Sequence, residues 1–220
     1  MGGSFYGYED KARPSKPSEM EGQTTTLLKK EYEERIDLLD KIDYAVATYM
    51  PGALVHGSIA AYHRMNIKEN WTFGDVDIIK SGKLKWWFHY QANKTCSSLG
   101  GIYHSLTIEP STDFLRRVRA GGRCYLPDAK FATLFGRYGY SIMNFALLNE
   151  KPASIVQQMQ IPFRLAYIPS SSKQWIVADG TDDLLLSRCI PNEIWSPMPS
   201  YIQRKFTSRG FKCVSPLSKK

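Results

Sequence analysis

The 220-residue chain is 43% hydrophobic, 23% charged and 13% aromatic, a balance that supports one sizeable packed domain and excludes a wholly disordered chain. Its longest nearly apolar run, Tyr140 to Leu148, is broken by Ser141 and Asn144 and falls far short of the ~18–20 residues of a membrane span, so no membrane partner is expected. The formal charge of +8 favours a polyanion, whether nucleic acid, nucleotide phosphate or an anionic surface, without choosing among them.

Residues 1–24 read as a disordered tail, rich in Gly, Ser, Pro and mixed charge with no apolar period; its tyrosines and Phe5 offer a docking segment for protein assembly. The start of the chain has no cationic-then-apolar secretion pattern, and Tyr6 stands where myristoylation wants Ser or Thr. An intracellular place, cytoplasmic or nuclear and not secreted, is the expectation. Cys96, Cys124, Cys189 and Cys213 are spread singly, which reads as four reduced thiols rather than a zinc site or a disulfide framework.

The domain is expected over 25–213, followed by a basic tail over 214–220. Thr25 or Thr26 can cap a helix whose Leu28, Tyr32, Ile36, Leu39, Ile42 and Val46 recur every three or four residues, until Met50-Pro51-Gly52 stops it. Short pieces then alternate. Ala53–His56 and Val76–Ile79 read as strands, Ser58–Met65 and Trp86–Asn93 as helices, and Ile108–Asp128 as an insertion or mobile loop. Lys130–Phe135 and Tyr140–Leu148 read as a hairpin, Pro152–Gln158 as a helix, Phe163–Ile168 as a strand and Ser200–Ser208 as a closing helix before Gly210. Mixed elements with an antiparallel hairpin define an α+β, or mixed α/β, domain.

The stretch that carries chemistry is Leu54-Val55-His56-Gly57-Ser58, followed by Phe73-Gly74-Asp75-Val76-Asp77-Ile78-Ile79. A Gly-Ser pair at a strand-to-helix junction combines close backbone approach, a hydroxyl and helix N-terminal N–H groups, which suits phosphate. Asp-x-Asp on a strand puts Asp75 and Asp77 on one face, because side chains alternate with period two. Two such carboxylates repel unless a cation lies between them, and Mg²⁺ (or Mn²⁺) is the expected ion.

These residues resemble the polymerase-β-like nucleotidyltransferase superfamily, which includes poly(A) polymerases, CCA-adding enzymes and oligoadenylate-type synthases. The gap from Ser58 to Asp75, with Trp71 before the acidic strand, is similar to stand-alone members of viral and fungal type. Met143–Leu148, Lys151–Val156 and Phe163–Tyr167 look like a strand–helix–strand run of that subgroup, and Tyr201 through Arg209-Gly210-Phe211 like its closing helix. The resemblance implies Asp75 and Asp77 as metal ligands and catalytic acids, and Gly57 and Ser58 as the nucleotide-binding loop. It also implies a third carboxylate on a later strand. At that place this chain reads Met159-Gln160-Ile161-Pro162-Phe163-Arg164-Leu165, where none of Gln160, Pro162 and Arg164 is anionic. Glu109, at the end of the alternating Ser105–Glu109 stretch, is the candidate replacement and is counted with the catalytic residues; Asp113 and Asp179 lie in loop-like surroundings.

Three further groups stand out. Arg64 and His63, on the helix after Ser58, are candidates for nucleotide phosphate. Arg116, Arg117, Arg119 and Arg123, near Gly121-Gly122, read as a flexible basic clamp or an ordinary solvated face. Lys83, Lys85, Trp86, Trp87, His89 and Tyr90 interleave cations with rings, either as a stacking platform for single-stranded bases or with at least one tryptophan in the core. The expected function is Mg²⁺-dependent transfer of a nucleotide from NTP to RNA or another acceptor. The alternative is a catalytically inactive nucleotidyltransferase-like subunit that binds RNA or protein in a viral or ribonucleoprotein assembly.

Overall fold

The computed structural model describes residue 33 and residues 36–65, 75–126 and 141–214. The expected tail over 1–24, the first turns of the long helix, the Lys130–Phe135 arm and residues 215–220 lie outside the described residues. The chain divides into two units, Met1–Ile36 and Asp37–Lys220. In the first, Glu33 and Ile36 are helical.

The second unit opens with helix α1, residues 37–49. Leu38, Leu39, Ile42, Ala45 and Val46 are buried along one stripe, the 3.6-residue period seen in the sequence. The turn after it places Gly52 at φ +74°, a left-handed conformation that glycine adopts without a Cβ penalty. There follow β1 (Leu54–His56), α2 (Ser58–Met65), β2 (Val76–Ser81), α3 (Lys85–Ser98), β3 (Ile102–Leu106), α4 (Asp113–Arg117), β4 (Ala120–Leu126) and β5 (Ser141–Leu148). Then come α5 (Pro152–Gln157), β6 (Leu165–Ile168), β7 (Gln174–Val177), α6 (Thr181–Ser187), β8 (Cys189–Pro191), α7 (Asn192–Trp195), α8 (Ser200–Thr207) and β9 (Lys212–Val214).

Seven strands form one mixed sheet in the order β3-β4-β5-β2-β1-β6-β7, and β8 pairs with β9 in a second. Within the large sheet β2 and β5 are parallel; the other pairs are antiparallel. This is the α+β architecture expected from the sequence. Period-two alternation gives the sheet two unlike faces. On one, Val55, Ile78 and Phe145 share a cross-strand row with Tyr167. Helices α1 to α3 pack there: the Tyr167 hydroxyl donates to Asp43 Oδ1 at 2.7 Å, His63 meets Tyr167 edge-on, and His89 Nδ1 lies 2.8 Å from the Tyr103 hydroxyl. On the other face Leu54, Ile79, Leu148 and Ala166 form a cluster with Ile155 and Val156 of α5. One row further along β2 that face turns polar, at Asp77.

Three expectations are corrected here. The stretch Ile108–Asp128 is not a mobile loop over its described part, since it carries α4 and β4. Its glycines serve strand packing: a Cβ on Gly122 would lie 2.1 Å from the Tyr103 hydroxyl, and one on Gly121 2.5 Å from Ile108 Cδ1. The cysteines are not four thiols, because Cys96 of α3 and Cys124 of β4 are disulfide-bonded, leaving Cys189 and Cys213 free. Scattered cysteines therefore no longer bear on compartment. Neither tryptophan of α3 is core: Trp86 is 68% and Trp87 43% exposed. The buried stripe runs through Phe88, Gln91, Ala92, Thr95 and Cys96, and both tryptophans fall outside it. Among the described residues no helix is long and apolar enough to cross a membrane.

Candidate functional site

The polar row crosses five strands. His104 pairs with Arg123, Arg123 with Asn144, Asn144 with Asp77, and Asp77 with His56. Directly opposed residues project to the same side of a sheet, so this row lines one surface. Asp75 lies just before β2 and joins it through Asn144. The Asn144 amide nitrogen donates to Asp75 Oδ2 at 3.0 Å and to Asp77 Oδ1 at 3.1 Å. The Asn144 oxygen accepts from Arg123 Nε at 3.3 Å. One side chain thus ties both carboxylates to a cation on the next strand.

Gly57 joins the same site. It sits at φ +76° between β1 and α2, and a Cβ there would lie 3.4 Å from Asp77 Oδ2. Ser58, the first residue of α2, is buried. The opening N–H groups of a helix have no acceptor within it, so the Gly-Ser corner presents donors beside an acid.

Burial lowers the His56 pKa below the usual histidine range, against the opposing pull of Asp77 and Asp75. Burial thus favours the neutral ring. Arg209 adds a charge that sequence reasoning did not assign to the site. It is buried, its pKa falls to about 10 through desolvation, and the Asp75 charge partly offsets that fall. Its guanidinium lies over Phe163, 5.9 Å from the ring centroid, where Phe163, Phe206 and Phe211 form an aromatic cluster. The closing segment with Arg209-Gly210-Phe211 thereby brings a cation toward the acids.

Other candidates fall elsewhere. Arg64 donates to Asp182 through Nε at 3.0 Å and Nη2 at 2.6 Å, and lies over Trp175, about 9 Å along α2 from Ser58. Glu109 is exposed and follows β3, which β4 and β5 separate from β2. Asp113 pairs with Arg116 on α4. Asp179 follows β7, which β6 and β1 separate from β2. The basic run straddles two elements: Arg117 is paired with Glu150 at 2.8 Å, and Arg123 belongs to the polar row.

The segment Met159–Leu165, where the third carboxylate was sought, leads into β6. That strand pairs with β1 and β7, not with β2. The strands flanking β2 are β1 and β5, which present His56 and Asn144 to Asp77. Among the described residues no group of three or more His, Cys, Asp and Glu side chains is placed to hold a metal ion. The signal for Asn144 was in the sequence: a lone amide interrupting the apolar run Ile142–Leu148.

No protein-family model matches the chain, and no curated protein matches it at a significant level.

Proposed function

We propose that the chain is a nucleotidyltransferase-type protein, of the polymerase-β-like kind, that binds a nucleoside triphosphate and has lost efficient transfer. Gly57 and Ser58 would take phosphate oxygens. Asp75 and Asp77 converge on one point and suit a single hard cation such as Mg²⁺ or Mn²⁺; they would hold it, and it would neutralise phosphate charge when bound. The observation that carries the reading is Asn144, an amide donating to both acids on the strand where a third carboxylate would complete the set. An amide cannot take a proton from an attacking hydroxyl, and losing a positioned base costs ~10²–10⁴-fold in rate. A binding subunit within a larger assembly follows, and the +8 charge supports a polyanionic partner.

The test is calorimetric nucleotide binding with Mg²⁺ and Mn²⁺, run beside labelled-nucleotide transfer, on wild type, Asp77→Asn and Asn144→Asp. Wild type should bind metal–nucleotide, Asp77→Asn should lose that binding, and Asn144→Asp should transfer roughly 10²-fold faster or more. Wild-type transfer equal to that of Asn144→Asp would make the chain an active transferase. No nucleotide binding by folded wild type would end the reading.

A further inference from the structure

Helix α3 contains no Asp or Glu, and it turns Trp87, Tyr90 and Lys94 to solvent. The Trp87 and Tyr90 rings are stacked, 5.2 Å apart and 17° from parallel. Trp86 meets Trp87 edge-on, and Lys94 Nζ stands 5.8 Å from the Tyr90 centroid. Trp87, Tyr90 and Lys94 line a cavity of about 600 Å³ together with Tyr49, at the end of α1, and Pro51 just after it. That volume lies within the range of small-ligand sites. Clustered exposed rings of this kind usually mark a binding surface.

Gln91 supplies a second, independent observation. It lines the same cavity yet is only 5% exposed, and its Oε1 has no hydrogen-bond partner among the described residues. A buried acceptor left unpaired is costly, so its persistence points to a donor that arrives from outside. Lys85 opens the same helix and Lys83 lies two residues before it, both exposed, and among the described residues no acid lines the cavity.

We propose that this groove takes one base and its phosphate from single-stranded RNA. The base extends the Trp87–Tyr90 stack, one of its N–H groups pairs with Gln91 Oε1, and the phosphate lies against Lys94. Thr48 and Ser97 also line the groove, and their hydroxyls would favour a ribose 2′-hydroxyl over deoxyribose. The site is distinct from the acid pair, because α3 packs on the sheet face opposite Asp77 and Asn144, and it stands whether or not nucleotide binds there.

The test is fluorescence anisotropy of the full chain with labelled RNA and DNA of one sequence, about 12 nucleotides long and within the span of known single-strand sites. Trp87→Ala, Lys94→Gln and Gln91→Leu are run alongside. Trp87 and Lys94 are exposed, so their variants keep the fold, as circular dichroism will show. RNA should bind more tightly than DNA. Trp87→Ala should weaken RNA binding about tenfold or more, and Lys94→Gln should lower the salt slope by about one. Wild-type affinity in folded Trp87→Ala and Lys94→Gln would overturn the proposal, as would equal affinity for the DNA. Self-association abolished by Trp87→Ala, with no RNA binding at low salt, would assign the groove to a second copy of the chain instead.

Discussion

Asn144 stands opposite Asp77 in the parallel β2–β5 pair, and its amide nitrogen reaches Asp77 and Asp75 at 3.1 and 3.0 Å. The two hydrogens of one NH₂ group thus serve two carboxylates that would otherwise face each other with like charge. Removing the amide should expose that repulsion. Asn144→Leu should lose about 1.5–3 kcal/mol of stability, the range for hydrogen bonds to charged groups. It should also recover more stability on adding Mg²⁺ than wild type does, since a cation replaces the missing donor. Urea titrations with and without Mg²⁺ measure both effects. An unchanged midpoint in Asn144→Leu would show that the amide does not hold the pair.

The glycines of β4 give a second expectation. Tyr103 lies across Gly122, where a Cβ would fall 2.1–2.4 Å from its hydroxyl and ring carbons, and Tyr103 is itself tied to His89. Gly122→Ala should cost about 1–3 kcal/mol by overpacking. In a Tyr103→Ala background the same change should cost far less, so a double-mutant cycle should return a large coupling. Additive costs would place the effect in the glycine backbone and not in the ring.

Local signals made much of this fold legible. Strand β1 and helix α2 follow from period and punctuation, because Pro51-Gly52 and Gly57, with both glycines at positive φ, bracket the strand and open the helix. The Gly-Ser corner and Asp-x-Asp are each visible locally, but that they meet depends on the pairing of β1 with β2, which the resemblance implied and the local pattern did not carry. What stayed hidden is non-local. That β5, rather than the run into β6, lies beside β2 depends on strand order, and a one-dimensional pattern does not carry strand order. Arg209 feels the Asp75 charge from a segment that Phe206 and Phe211 dock on Phe163, a contact between distant parts of the chain. In β4, glycine reads locally as loop; the rule fails at Gly122 because the space is filled by Tyr103 from another strand.

His63 sets a pH dependence. Burial, reinforced by the charge of Lys173, pushes its pKa down to about 4, with its ring edge-on to Tyr167. In the unfolded chain the same imidazole titrates near 6.5. Below that pH the unfolded state binds the extra proton and the folded state does not, so stability rises with pH through the window from about 4 to 6.5. At the acid end the loss reaches about 3 kcal/mol. His63→Gln removes the titration, so the stability difference between wild type and variant should shrink as pH falls from 6.5 to 4. A difference that stays flat across that window would mean that His63 is solvated in the folded protein.

Cys96 and Cys124 close a loop across 28 residues, and both are fully buried between α3 and β4. Closing a loop of that length removes unfolded-chain entropy worth about 3–4 kcal/mol, so reduction should lower the urea midpoint by a corresponding amount. Thiol labelling of unreduced, denatured protein should add two groups, at Cys189 and Cys213, and labelling after reduction should add four. Gly101 extends the test, since a Cβ there would lie 2.6 Å from the Cys124 sulfur and 2.8 Å from that of Cys96. Gly101→Ala should therefore strain the bridge's surroundings and lose stability even when oxidised, and that loss should lessen in the Cys96→Ala/Cys124→Ala background, where the sulfurs are gone. Four labels on the unreduced chain would instead return these cysteines to the thiols expected from their scattered spacing, and the cost of Gly101→Ala would then fall on helix–strand packing alone.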